Sequence, residues 1–113
     1  VRNITFRDSY LHKTVKGIYM KFRSDREAGR IEDIKFENIT IESPMQWPIW
    51  IGPAQQVAGG SSNICSSNPC SLCWPYVPFT TCDAGYDSTF RNIMLKDIRI
   101  NNPRQSAGVI MGG

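Results

Sequence analysis

The strongest constraint on this chain is that it repeats itself. VRNITFRDSYLH at residues 1–12, IEDIKFENITIE at 31–42 and FRNIMLKDIRIN at 90–101 follow one pattern. Val1, Ile31 and Phe90 share its first position, and Asn3, Asp33 and Asn92 come two residues later. Ile4, Ile34 and Ile93 follow, then Phe6, Phe36 and Leu95, and Asp8, Asn38 and Asp97 close the segment. Ile39 and Ile41 continue it in the second copy and Ile98 and Ile100 in the third, with Ser9-Tyr10-Leu11 a weaker counterpart in the first. Each copy is followed by another apolar stretch: GIYMKF at 17–22, PIWIG at 48–52 and GVIMG at 108–112. Apolar residues recur at every second position and branched or aromatic side chains dominate, so these segments are strands.

Each unit therefore holds three short strands broken by polar corners such as Glu37-Asn38 or Asn101-Asn102-Pro103. One unit cannot bury its apolar face alone. Units stacked on one another can, because each side chain of the Ile34 type then sits on its equivalent in the next turn. The corner residues Asp8, Asn38 and Asp97 tolerate left-handed backbone and, stacked in register, can form a ladder. That role leaves them no catalytic one. A leucine-rich repeat would place its Asn three residues beyond the last apolar strand residue and add a helix; Asn38 lies only two beyond Phe36. An antiparallel sandwich would need hairpin signals such as Asn-Gly, and the chain has none. The expected fold is all-β: a right-handed parallel β-helix of about three coils, near residues 1–22, 31–52 and 90–112.

The spacing between copies is uneven. Residues 53–88, rich in Gly, Ser and Pro, separate the second and third coils and hold all four cysteines: Cys65, Cys70, Cys73 and Cys82. A loop of this length is usually functional or disordered. Two disulfides would staple it, with three pairings open. A zinc site would need four thiolates in a tetrahedron, and the C-x4-C-x2-C-x8-C spacing is not that of a familiar finger, so no metal is expected. Two sequons, Asn3-Ile4-Thr5 and Asn38-Ile39-Thr40, join the even cysteine count in pointing to a secreted or cell-surface glycoprotein.

Composition removes other classes. At 113 residues the chain is one domain at most. A net charge of +3 without a Lys/Arg run argues against nucleic acid. No apolar stretch approaches the roughly 20 residues of a membrane-spanning helix. Because the sequence opens and closes on strand-like patterns, it reads as a piece of a longer β-helix. Its partners would then be the remainder of that β-helix or further copies in an extracellular assembly, and alone it would expose apolar cross-sections.

The pattern "V-x-N-I-x-F-x-N", then "G-I-x-x-K", "G-x-I-x-D-I-x-F-x-N-I-x-I" and "P-I-x-I", resembles the C-terminal coils of pectin-lyase-like β-helix proteins. Among these, glycoside hydrolase family 28, the polygalacturonases, is the most similar. The resemblance covers residues 1–52 and 90–112. It implies inverting hydrolysis of α-1,4-linked galacturonan by three aspartates, without a cofactor. The family signatures Asn-Thr-Asp, Asp-Asp and Gly-His-Gly are absent here and would precede Val1. The fourth, Arg-Ile-Lys, falls on Tyr19-Met20-Lys21, where only Lys21 matches and would contact a substrate carboxylate. Arg23 lies two residues further on. A family Tyr beyond "P-I-x-I" is replaced by the run from Ile51 to Gln56.

Inverting hydrolysis needs two carboxyl groups roughly 6.5–9.5 Å apart, one of them protonated. Nearly all the acidic residues here fall at corners or outward strand positions, and the single histidine, His12, has no obvious partner, so no catalytic residue is assigned within these residues. The aromatics Trp47, Trp50, Trp74, Tyr76 and Phe79 cluster around the third strand and the insert. They either stack on sugar rings or anchor the insert to the wall of the coil. The expected substrate-binding residues are Lys21, Arg23 and Trp50. Two functions stay open: part of a secreted polygalacturonase-like hydrolase acting on a polysaccharide, or a non-catalytic structural β-helix glycoprotein of a wall, sheath or filament.

Overall fold

The computed structural model describes residues 1–22, 28–54, 58–59, 64–65, 73, 79, 81–82 and 87–111. Arg23, Gln55, Gln56, Cys70, Trp74 and Tyr76 lie outside them. The elements in chain order are β1 (Arg2–His12), β2 (Ile18–Phe22), β3 (Arg30–Glu42), β4 (Ile49–Pro53), β5 (Ala58–Gly59), β6 (Ile64–Cys65), β7 (Thr89–Asn101) and β8 (Gly108–Ile110). Among the described residues there is no helix.

Six strands form two parallel sheets, in the orders β1-β3-β7 and β2-β4-β8. The chain alternates between them, so every pass adds one strand to each. Parallel neighbours need a long crossover, and here the strand in the other sheet is that crossover. The three sequence copies become three neighbouring strands with equivalent residues side by side: Ile4 pairs with Ile34 and Ile34 with Ile93. Phe6, Phe36 and Leu95 form the next column, and Leu11, Ile41 and Ile100 another. The Phe6 and Phe36 rings stack with centroids 5.0 Å apart.

Each long strand is bent. Positive φ occurs at Asn3, Asp8 and Lys13, at Asp33, Asn38 and Ser43, and at Asn92, Asp97 and Asn102, all between 49° and 58° or close by. Left-handed backbone at every fifth residue turns the strand while the ladder with its neighbour continues on either side. The expected corner at Asp8, Asn38 and Asp97 is present, and two further corners flank it. The two short strands read from the sequence are thus the arms of one bent strand.

The core lies between the sheets. Ile18 and Met20 from β2, Ile34, Phe36, Ile39 and Ile41 from β3, and Ile51 from β4 are buried together. Leu11, Ile93, Leu95, Ile98 and Ile100 on the outer strands are partly buried against them. The middle pass is therefore the best-covered one. Within residues 53–88, β5 and β6 form a short antiparallel pair, a local hairpin that the polar composition of the insert did not announce.

Candidate functional site

The outer face of β2 carries the most distinctive chemistry. Strand alternation turns Ile18 and Met20 into the core and Tyr19 and Lys21 outward. Lys16, in the turn before β2, reaches back over the same face. The Lys16 Nζ lies 4.7 Å from the centre of the Tyr19 ring and the Lys21 Nζ 5.1 Å from it. Both distances are within cation–π range. Tyr19 remains 41% exposed, so two ammonium groups and an accessible ring share one patch.

Lys16 also donates a hydrogen bond to Gln46 Oε1 on the neighbouring pass. Partial burial, and then the charge of Lys21, hold the Lys16 pKa below the ordinary lysine value. Among the described residues, no carboxylate lies within ion-pair distance of Lys16 or Lys21. A bound anion would relieve their mutual repulsion, and a sugar ring could lay its C–H face on Tyr19. Period-two alternation already put Tyr19 beside Lys21 in the sequence. Lys16 and Gln46 were not legible there, because only the folded turn brings them onto this face.

The other expected site residues fall elsewhere. Trp50 is opposite Tyr19 in the register but is fully buried. Its Nε1–H donates to the Pro53 carbonyl oxygen at 3.0 Å, and Trp47 packs on it with ring centroids 5.9 Å apart. A platform for a sugar needs an open face, and Trp50 offers none. Phe79 is fully exposed. His12 is exposed, lies beside Tyr10 and pairs in register with Glu42.

A disulfide joins Cys73 and Cys82, so these sulfurs are not available as thiolates for a four-cysteine zinc site. Among the described residues, no group of three potential metal ligands is present. The side chains of Cys65 and Cys70 are outside the described residues. Of the two sequon asparagines, Asn3 is an exposed corner of the edge strand. Asn38 uses both ends of its amide, donating to Asp8 Oδ1 at 2.9 Å and accepting from Arg99 at 3.1 Å.

Among the described residues, the carboxylates other than Asp87 stand on the other sheet. Glu32, Glu37 and Glu42 project from β3, each opposite a residue of β1 and of β7. The Glu37 carboxylate is held below its ordinary pKa first by a hydrogen bond from Lys35 and further by Lys96. Glu42 is lowered chiefly by the amide of Asn102, at 2.8 Å, with help from Asn101 and Ser43. Such stabilised carboxylates are anions at neutral pH, unsuited to act as the proton donor of a glycosidase. No family model, curated protein or solved structure matches the chain.

Proposed function

We propose that the two parallel sheets are part of a right-handed parallel β-helix of the polygalacturonase-like type, acting outside the cell. In this reading the Lys16, Tyr19 and Lys21 patch holds an acidic polysaccharide of the galacturonan class. A uronate carboxylate sits between the two ammonium groups, and its ring rests on Tyr19. Any catalytic carboxylates would lie on further passes of the same fold. The observation that carries the reading is the convergence of two cations, without a carboxylate partner among the described residues, on one accessible aromatic ring. The threefold repeat and the resemblance of the Lys21 strand support it.

The test is a calorimetric titration with oligogalacturonate and with its methyl-esterified form. Charge-assisted hydrogen bonds contribute about 1.5–3 kcal/mol each, so the acid should bind at least about tenfold more tightly than the ester. Lys21→Ala should abolish most of that preference. Equal affinity for the two sugars would overturn the reading.

A second reading is a non-catalytic structural β-helix. It is favoured by Glu37 and Glu42, whose carboxylates are held below their ordinary pKa and are unsuited to donate a proton. Hydrolysis of galacturonan by the intact native polypeptide would decide for the enzyme. Binding without hydrolysis would decide for the structural role.

A further inference from the structure

Lys16 and Gln46 stand 30 residues apart in the chain, on the turns that precede β2 and β4. Backbone hydrogen bonds tie these two turns together. Met45 N–H donates to the Thr14 carbonyl oxygen at 2.9 Å and Gln46 N–H to that of Val15 at 3.0 Å. The N–H groups of Gly17 and Ile18 both donate to the Pro48 carbonyl oxygen, at 2.8 and 2.9 Å. The turns approach this closely because Gly17 has no side chain: an added Cβ would lie 3.0 Å from that same oxygen. Lys16 and Gln46 are thus held side by side, and the Lys16 ammonium donates to Gln46 Oε1.

The chemistry of the pair is one-sided. An ammonium has three donors and no acceptor, so Gln46 has to turn its carbonyl oxygen toward Lys16. The same ammonium lies 4.7 Å from the centre of the Tyr19 ring. Gln46 therefore fixes the reach of Lys16 while adding no charge. A Glu of equal size would make a stronger, charge-assisted bond and cancel the cation. The lowered pKa of Lys16, caused by partial burial and then by Lys21, agrees with a charge that its neighbour leaves uncancelled.

We propose that Gln46 is a positioning residue that sets the charge selectivity of the patch. Its neutral amide oxygen holds the Lys16 ammonium over Tyr19 and leaves that charge for the anionic group of a ligand. The proposal rests on the polysaccharide reading and names the residue that makes the site prefer a uronate to its ester.

The test compares the unaltered chain with Gln46→Glu and Gln46→Leu. Each is titrated calorimetrically with oligogalacturonate and its methyl-esterified form, and Lys16 is followed without sugar through its Cε resonance. In Gln46→Glu the preference for the acid should fall to about threefold or less, because the new carboxylate pairs with Lys16 and repels the uronate. The Lys16 titration should move upward, since a nearby anion favours the charged lysine. In Gln46→Leu the acid should bind about three- to tenfold more weakly, because Lys16 must then be immobilised on binding, while the ester stays within about twofold. A merely structural residue would weaken both sugars alike in both variants and leave the Lys16 titration unmoved, and that result would overturn the proposal. An acid preference that survives Gln46→Glu would overturn it alone. No acid preference in the unaltered chain would overturn the polysaccharide reading with it. In the unaltered chain the Gln46 Cδ signal should titrate together with Lys16 Cε. Independence of the two signals would overturn the proposal even if neither variant folds.

Discussion

Ile41, Leu11 and Ile100 form one column across the β1-β3-β7 sheet, so truncating each in turn measures how the stack is supported. Ile41 is completely buried. Its two neighbours in the column are only partly buried against the core. Ile41→Ala removes three carbons at about 0.8 kcal/mol each, a transfer loss of about 2.4 kcal/mol. A site enclosed on both sides collapses incompletely, which brings the expected cost to about 4 kcal/mol, within the range of about 2–5 for such truncations. At Leu11 or Ile100 roughly half the transfer loss applies and solvent fills the gap, giving about 1 kcal/mol. The assay is urea unfolding followed by far-ultraviolet circular dichroism. With a slope of about 1–2 kcal/mol per molar, Ile41→Ala should lower the midpoint by about 2–4 M and the flanking variants by about 1 M or less. Equal losses along the column, or a larger loss at Ile100, would refute the central placement of β3.

Asn38→Asp would set a carboxylate against Asp8, which now accepts the Asn38 amide. A cost of about 1–3 kcal/mol at neutral pH, shrinking at pH 3, should appear in the same urea assay. Gly17→Ala tests the tight approach of the turn before β2, where an added Cβ would lie 2.3 Å from Ile41 Cδ1 and 3.0 Å from the Pro48 carbonyl oxygen. Overpacking of this kind costs about 1–3 kcal/mol and should be read as a lowered melting temperature. Lys16 has a folded pKa below its unfolded value, so the unfolded chain binds more protons in that window and stability rises as pH increases through it. Lys21→Gln removes one cause of the shift and should move the Lys16 titration upward when followed through its Cε resonance by NMR.

The repeat made much of this architecture legible. Strand positions, the parallel stacking of Ile4, Ile34 and Ile93, and the corner at Asp8, Asn38 and Asp97 follow from period-two alternation and from residue types that accept left-handed backbone. Lys13 and Ser43 occupy the same left-handed conformation without a residue type that announces it. Those corners are imposed by the ladder, as Lys13 N–H donates to the Glu42 carbonyl and Ser43 N–H to that of Asn101. Lys21 was legible as an outward strand residue. Lys16 and Gln46 meet only because a turn and a neighbouring pass converge, and local patterning does not record such contacts. Trp50 shows the converse: alternation places it on the outer face beside Tyr19, yet it is fully buried there, with its indole N–H on the Pro53 carbonyl oxygen.

The most direct test of the functional account is an NMR titration of isotopically labelled protein with oligogalacturonate, following the Tyr19 ring and the Lys16 and Lys21 Cε signals. The account predicts saturable shifts confined to these three side chains and an upward move of the Lys16 pKa on binding. Shifts elsewhere with this patch unmoved, or no saturable shift at all, would contradict it.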